Sequence, residues 1–162
     1  MFRADNNNKI EDFIYILNHL RQEDLLEVQT IWGENWREKT FENLKDSEMI
    51  IGRTKNNNIP AVVGGYTKLD IDAEGVGCVW LLSTDLAAKH YFSLLREIKK
   101  EFQKIDELFW LTYNFIHKGN YQAKNWLKWL GYKFDNPKPE GMNIPDDFEF
   151  FYRIRPIKGL GE

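Results

Sequence analysis

The chain has 162 residues, of which 43% are hydrophobic and 15% aromatic, and its formal net charge is -3. This size and apolar content suit one substantial core, so we expect a single domain spanning residues 1–162. The near-neutral charge gives no long-range attraction for nucleic acid or an anionic membrane, and no apolar run is long enough to span a membrane. One cysteine excludes an internal disulfide and a cysteine-based zinc site.

The N-terminal region is expected to contain a strand and two helices. Residues 1–10 are polar and should be frayed, and they lack the apolar segment of a signal peptide, so a cytoplasmic location is expected. Phe13–Leu17 is apolar and β-prone, which favours a strand. Helical spacing then predicts helices from about Gln22 to Trp32, ended by Gly33, and from Asn35 to about Lys45.

A β-hairpin is predicted next. Met49–Thr54 and Pro60 to Leu69 read as strands, and the polar residues 55–58 between them form the turn, because asparagine accepts left-handed backbone conformations. The Gly64-Gly65 pair inside the second strand indicates either a bulge or a close approach to the backbone.

A strand followed by a long helix is predicted after the polar connection 70–75. Gly77–Ser83 is the strand, and the helix begins at Thr84-Asp85 and runs to about Ile105, with apolar residues at steps of three and four. Its basic outer face is more typical of a solvated surface than of a binding site. That face consists of Lys89, Arg96, Lys99, Lys100 and Lys104.

The aromatic run from residue 108 to residue 113 predicts an interior strand buried on both faces. A turn at residues 117–120 follows, in which Gly119 tolerates positive φ and Asn120 can cap the next helix. That helix runs from Tyr121 to about Leu130, with Ala123, Trp126, Leu127 and Leu130 on one face, and Gly131 ends it. Trp126 should face the core, and Trp129 should be partly exposed.

The C-terminal part should add two more strands. Tyr132–Phe134 is expected to open one strand, a proline-containing loop follows, and Phe148–Ile154 forms the last. The predicted order is βααββ, then βαβα, then ββ, which indicates a mixed α/β fold with one central sheet.

The segment from Trp80 to Phe134 resembles the second half of the GCN5-related N-acetyltransferase (GNAT) fold. Asn120, Ala123, Trp126-Leu127 and Gly131-Tyr132 match the helix that flanks coenzyme A in that family. The wording NWLKWLGYKF is similar to GNAT-like proteins of podophages. The resemblance implies a central mixed sheet of six to seven strands flanked by about four helices, and two short N-terminal helices at one rim of the acceptor-substrate cleft.

The resemblance also implies an acyl-CoA site with a cleft where the strands ending near Ser83 and Asn114 separate. The residues expected to bind acetyl-CoA or another acyl-CoA are Leu82, Ser83, Leu86, Ala87, Ala88, Lys89, Asn114, Asn120, Ala123 and Trp126. The family's glycine-rich pyrophosphate loop is absent, because Lys89 and Tyr91 stand at its glycine positions. Small residues still open the following helix, but Asp85 adds a negative charge there. The simpler interpretation is that Asp85 caps the helix.

The usual acid and base of the family are also absent from their positions. Leu127 occupies the place of the general-acid tyrosine, and residues 78–82 contain no carboxylate. Asp72, Glu74 or His117 would have to supply a base, and Glu74 and His117 are the candidates. A loop histidine without a partner is more often a plain surface residue.

The histidines and the cysteine do not indicate a metal site or a nucleophile. The three histidines have no metal-ligand spacing, and Cys78 reads as a packed small hydrophobe.

Two functions remain open from the sequence. One is transfer of an acyl group from acyl-CoA to an amine on a small molecule or a protein. The other is a non-catalytic phage protein that keeps the fold and contacts other phage proteins in virion morphogenesis. Neither function requires nucleic acid, a membrane or a metal.

Overall fold

The computed structural model describes the backbone of Phe2–Asp5 and residues 9–68, 75–135 and 137–157. Within these ranges, five helices of nine or more residues, one five-residue helix and six strands are present. In chain order they are β1 (Phe2–Asp5), α1 (Lys9–Leu17), α2 (Gln22–Trp32), α3 (Trp36–Leu44), β2 (Glu48–Thr54), β3 (Pro60–Lys68), β4 (Val76–Ser83), α4 (Asp85–Lys89), α5 (Tyr91–Leu108), β5 (Leu111–His117), α6 (Tyr121–Trp129) and β6 (Phe148–Ile154). A 3₁₀ turn, Gly33–Asn35, joins α2 to α3.

The strands follow chain order across one mixed sheet, β1-β2-β3-β4-β5-β6. β1 pairs antiparallel with β2, β2 with β3, and β5 with β6, whereas β4 and β5 run parallel. Five of these strands have seven or more residues, and β1 adds only four. The described residues thus form a sheet of six strands, one of them short, and five long helices where the resemblance implied about four.

The chain divides into two compact units. The first comprises Met1–Thr67 and Trp80–Lys99, and the second comprises Lys68–Val79 and Lys100–Glu162. The boundary runs through β4 and α5, so each of these elements contributes one half to each unit. The sequence-based expectation of one domain over residues 1–162 remains a prediction.

The core of the first unit lies between its strands and the helices α1 to α3. Phe13 and Ile16 of α1 are fully buried, as are Ile51 of β2 and Val63 of β3. The ring centroids of Phe13 and of Phe41 in α3 lie 5.8 Å apart, and the rings are stacked. The burial of these four apolar side chains in one cluster joins the helices to the strands of this unit.

The expected strand at Phe13–Leu17 is wrong, because these residues belong to α1. Phe13, Ile16 and Leu17 are buried, whereas Ile14 and Tyr15 are exposed. Spacing of three and four between buried residues is that of a helix, and the short apolar run did not distinguish it from a strand. The N-terminus likewise departs from expectation, since Phe2–Asp5 pairs with Ile51–Thr54 instead of fraying.

The core of the second unit lies on one face of the β5–β6 ribbon. Thr112 and Phe151 on this face are buried, and the Tyr132 hydroxyl lies 2.7 Å from that of Thr112. Arg153 of β6 forms a two-pronged ion pair with Asp106 of α5, with Nη2 2.9 Å from Oδ2. A bidentate arginine–carboxylate pair of this kind fixes the helix on the strand.

The boundaries of α4, α5 and β5 differ from the sequence-based expectation. α5 continues through Leu108, and β5 begins only at Leu111, so the expected interior strand at residues 108–113 is wrong at its start. Leu108 and Trp110 are exposed. The helix expected over residues 85–105 is interrupted at His90, whose N–H is bonded to the Ala87 carbonyl.

The remaining differences concern the turn and the strand after it. Gly119 does not adopt positive φ. Its N–H donates to His117 Nδ1 at 3.0 Å, which holds the turn instead. Tyr132–Phe134 is not a strand, because only Lys133 pairs with β6, in an isolated bridge to Tyr152. Gly131 ends α6 with a φ of 94°, as expected.

The close approach expected at Gly64-Gly65 is confirmed. A Cβ added to Gly65 would lie 2.0 Å from the carbonyl oxygen of Glu48, so only glycine lets β2 and β3 pair here. The irregularity of this hairpin lies elsewhere, between Gly52 and Arg53. No helix in the described part of the chain is long and apolar enough to cross a membrane.

Candidate functional site

The end of β4 is tied to the start of α2. The N–H and hydroxyl of Ser83 both donate to Asp24 Oδ2, at 2.7 and 2.8 Å, and the Ser83 carbonyl accepts from the Arg21 N–H at 3.0 Å. Arg21 Nη2 donates to the other oxygen of Asp24 at 2.9 Å. Ser83 therefore has its N–H, hydroxyl and carbonyl all bonded within the protein, and its side chain is fully buried.

α4 begins directly after this point and is short. Its N-cap is Thr84, whose hydroxyl donates to the Ala61 carbonyl at 2.9 Å and makes no capping bond. The interpretation of Asp85 as the cap is therefore wrong, since Asp85 is the first helical residue and its side chain is exposed. A helix of five residues has a weak macrodipole, because few peptide dipoles are aligned.

The sequence-predicted residues around α4 have different environments. Leu82 is buried in the core of the first unit, and Ala87 is fully buried. Leu86 and Ala88 are half-buried, and Lys89 is exposed. Among the residues expected to bind acyl-CoA at this end of β4, only Leu86, Ala88 and Lys89 therefore present a surface to a ligand.

Asn114 of β5 extends the contact between β4 and β5 with its side chain. The backbone ladder between these strands runs from Val76–Leu111 to Cys78–Tyr113. One residue further on, Asn114 Nδ2 donates to the Val79 carbonyl at 2.6 Å, and Asn114 Oδ1 accepts from the Phe115 N–H. A side-chain amide thus supplies the bond to Val79 at the end of this ladder.

The turn and helix after β5 agree with the sequence at four positions. Asn120 Oδ1 accepts from the Ala123 N–H at 3.4 Å, so the predicted cap of α6 is confirmed. Ala123 and Trp126 are buried on the inner face of α6. Trp126 is 2% exposed and Trp129 is 52% exposed, as the helical phase predicted. Asn120, Ala123 and Trp126 therefore stabilise α6, and their side chains are largely closed to solvent.

His117 is not arranged as a free base. Its Nδ1 accepts the Gly119 N–H at 3.0 Å, and its ring packs edge-on against Phe148 at 5.5 Å. In the neutral imidazole, an accepting Nδ1 leaves the proton on Nε2, which then has no lone pair for a substrate proton. Glu74 and Asp72, the other bases considered, lie outside the described residues.

Tyr132 of the second unit is a buried phenol, and Tyr113 is half-buried. Burial raises the pKa of Tyr132, and the nearby Asp106 carboxylate adds to this effect, while its bond with Thr112 and the Arg153 charge oppose it. Burial, together with the neighbouring Cys78, also raises the pKa of Tyr113. Leu127, at the position of the family's general acid, is half-buried. Neither tyrosine is tuned to transfer a proton near neutral pH.

The described residues contain no group of three or more side chains suited to hold a metal ion. Cys78 is half-buried in β4.

Arg21 and Asp24 are the residues at the β4 end that sequence reasoning missed. They precede and begin α2 with a spacing of three, which is common at helix N-termini and carries no signal for a contact with residue 83. Only the fold brings residues 24 and 83 together.

The comparisons with known proteins are structural. No family model and no curated protein matches the sequence. The chain is similar to a GNAT-family acetyltransferase from Streptococcus pneumoniae, with a TM-score of 0.64, 8% identity and coverage of 96% of this chain and 99% of that one.

Two further solved structures show the same likeness. A GCN5-related N-acetyltransferase from Kribbella flavida has a TM-score of 0.63 and 12% identity over 96% of this chain and 97% of its own. The ribosomal-protein-S18-alanine N-acetyltransferase from Escherichia coli has a TM-score of 0.62 and 11% identity over 100% of this chain and 97% of its own. At these identities the likeness establishes the mixed α/β fold of GNAT proteins and nothing finer.

Proposed function

We propose that the chain is an N-acyltransferase of the GNAT type that transfers an acyl group from an acyl thioester such as acyl-CoA to an amine. In this reaction the C–S bond of the thioester breaks and a C–N bond to the amine forms. One amine proton is released, and the departing thiolate takes up a proton. The fold makes this reaction class the first to test, because the structurally similar proteins named above are N-acetyltransferases.

The side-chain bond from Asn114 to Val79 is the observation that carries the proposal. Parallel strands normally continue their ladder through backbone N–H and C=O groups. Here the next carbonyl after the ladder is taken by an amide on a side chain, which is longer than a backbone N–H. The backbone ladder thus gives way to a side-chain bond at Val79, where a pantetheine arm can bond to β5 as an added strand does.

The proposed catalysis relies on positioning and not on proton transfer by a side chain. The family's tyrosine is replaced by Leu127, and His117 Nδ1 is bonded to Gly119. The amine would have to bind already deprotonated, and the acceleration would come from holding it beside the thioester. The rate should therefore rise with pH until the amine of the substrate is neutral. The acceptor is an amine, on either a small molecule or a protein.

A second function is favoured by the bonds at Ser83 and His117. Both groups are engaged inside the protein, as expected of a GNAT-fold protein that performs no chemistry. Such a protein would act through its surface, and virion morphogenesis in a phage is the role suggested by the wording of α6.

Titration calorimetry with acetyl-CoA separates the two functions. The enzyme should bind acetyl-CoA with a micromolar to millimolar dissociation constant and should release free thiol when amines are added. Asn114→Ala should weaken binding. Asn125→Ala, an exposed position on α6, is the control and should have no effect. If no heat appears at millimolar acetyl-CoA, the non-catalytic function is the correct one.

A further inference from the structure

The Asp24 carboxylate occupies an anion site inside the first unit. The guanidinium of Arg21 and the N–H and hydroxyl of Ser83 converge on it at 2.7 to 2.9 Å. Arg21 is 2% exposed, Asp24 3% and Ser83 0%. A guanidinium, a backbone N–H and a hydroxyl are the donors with which proteins bind phosphate and carboxylate groups. The site therefore has the composition of a phosphate site, but its anion belongs to the chain.

The segment that carries Asp24 is held over the end of β4 by further backbone bonds. Arg21 N–H donates to the Ser83 carbonyl, and Leu20 forms a β-bridge with Thr84. The Thr84 N–H donates to the Ala61 carbonyl at 2.9 Å. An external anion would have to displace a carboxylate that is tethered in place, and tethering gives it a high effective concentration.

The surroundings of this site are acidic. Glu23 lies 4.0 Å from Arg21, with its side chain half exposed, and the exposed Asp85 begins α4. Asp85 has no bonding partner among the described residues. The Arg21 charge is already neutralised by Asp24, and the exposed Lys89 at the end of α4 is outnumbered by the carboxylates of Glu23 and Asp85.

We propose that Asp24 sets the class of acyl donor, which is an acylated pantetheine recognised without the nucleotide end of coenzyme A. This inference rests on the proposed function. The pyrophosphate and nucleotide of coenzyme A add no binding free energy at the end of β4, because Asp24 fills the anion site and Asp85 repels phosphate. A thioester on pantetheine, or on the phosphopantetheine of a carrier protein, serves as well as acyl-CoA.

The test compares acetyl-CoA with S-acetylpantetheine by titration calorimetry. For the unaltered protein, the two dissociation constants should agree within about threefold. Asp24→Ala vacates the site and leaves the Arg21 charge available, so acetyl-CoA should then bind about tenfold tighter than S-acetylpantetheine. Asp24→Asn keeps the side-chain shape and tests the charge alone. It should give a smaller shift in the same direction, and it replaces Asp24→Ala as the test if that variant fails to fold.

The matched control is Asp12→Asn. Asp12 is another buried carboxylate of the first unit, 6% exposed and paired with Arg53. It should change the stability of the protein without changing the ratio of the two dissociation constants.

Two outcomes separate this inference from the proposed function. If the unaltered protein binds acetyl-CoA more than tenfold tighter than S-acetylpantetheine, the acyltransferase stands and the role of Asp24 is wrong. If neither thioester binds, the proposed function fails and the donor class fails with it. Thermal melts of Asp24→Ala then test by themselves whether Arg21 and Ser83 form an anion site. Acetate should raise the melting temperature of this variant, and chloride at equal ionic strength should not. Equal melting temperatures in acetate and chloride would show that there is no anion site either.

Discussion

Two tryptophans on one short helix differ in what they stabilise. Trp126 of α6 is buried and Trp129 is half exposed. Trp126→Ala should lower the free energy of unfolding by about 3 to 5 kcal/mol, because it removes a large buried side chain and leaves a cavity. Trp129→Ala should cost less than about half of that, since much of its ring already contacts water. Urea melts of both variants give the two values, and equal losses would contradict the assigned helix face.

A single charge is expected to oppose phosphate at α4. Asp85→Asn removes the negative charge from the first turn while keeping the size of the side chain. Acetyl-CoA should then bind several-fold tighter, an effect of about 1 kcal/mol at low salt that shrinks as salt screens the phosphates.

The control for this change is Glu38→Gln, which removes an exposed charge from the first turn of α3. Calorimetry at two salt concentrations tests both variants. Unchanged or weaker binding by Asp85→Asn would show that the phosphates of the ligand do not approach α4.

At the scale of elements, Gly131 ends α6 in a left-handed conformation. Its φ is 94°, and a Cβ placed on it would lie 3.4 Å from Arg153 Nε, so conformation and not space is the constraint. Gly131→Ala should lower the free energy of unfolding by about 1 to 2 kcal/mol. Gly131→Asn should cost less, because asparagine enters this region more readily. Equal costs in urea melts would mean that the added side chain clashes.

The sequence predicted those elements whose boundaries are set by local chemistry. α2 has the predicted bounds Gln22–Trp32, because Gly33 adopts a φ of 73° and stops it. β6 also has its predicted bounds. The break at His90 could not be predicted, since no glycine or proline occurs between Thr84 and Leu94.

The candidate site was less predictable than the fold. Asn120 was identified as a helix cap because the capping bond is local. The Asp24–Ser83 bonds join residues 59 positions apart, so no local pattern reveals them. The sequence presents His117 as a candidate base, but it does not reveal the Gly119 N–H that bonds to its Nδ1 in the folded turn.

At the scale of the whole molecule, the buried phenol of Tyr132 predicts how stability depends on alkaline pH. Its folded-state pKa is raised above the ordinary tyrosine value of about 10, mainly by burial. The full contribution of this neutral phenol is present below about pH 10. It is lost as pH rises further, because the unfolded chain then releases the proton that the folded chain retains.

Urea melts at about pH 8, 10 and 11 should therefore show a free energy of unfolding that is flat between the first two and falls at the third. Tyr132→Phe should be less stable at neutral pH, since it loses the bond to Thr112, but should decline less steeply above pH 10. An equally steep decline would place the alkaline sensitivity at other tyrosines.

The contact between Gly65 and the Glu48 carbonyl has a consequence for how this gene can vary. A saturation library selected for folded protein should return only glycine codons at position 65, since every other side chain begins with a Cβ that meets a backbone oxygen at 2.0 Å. At Gly64 the added Cβ would meet a methyl of Leu81 at 2.8 Å, which can rotate, and the Trp80 carbonyl oxygen at 3.2 Å, so alanine and serine should survive there at reduced frequency. Two adjacent glycines should thus accept substitutions at very different rates during evolution.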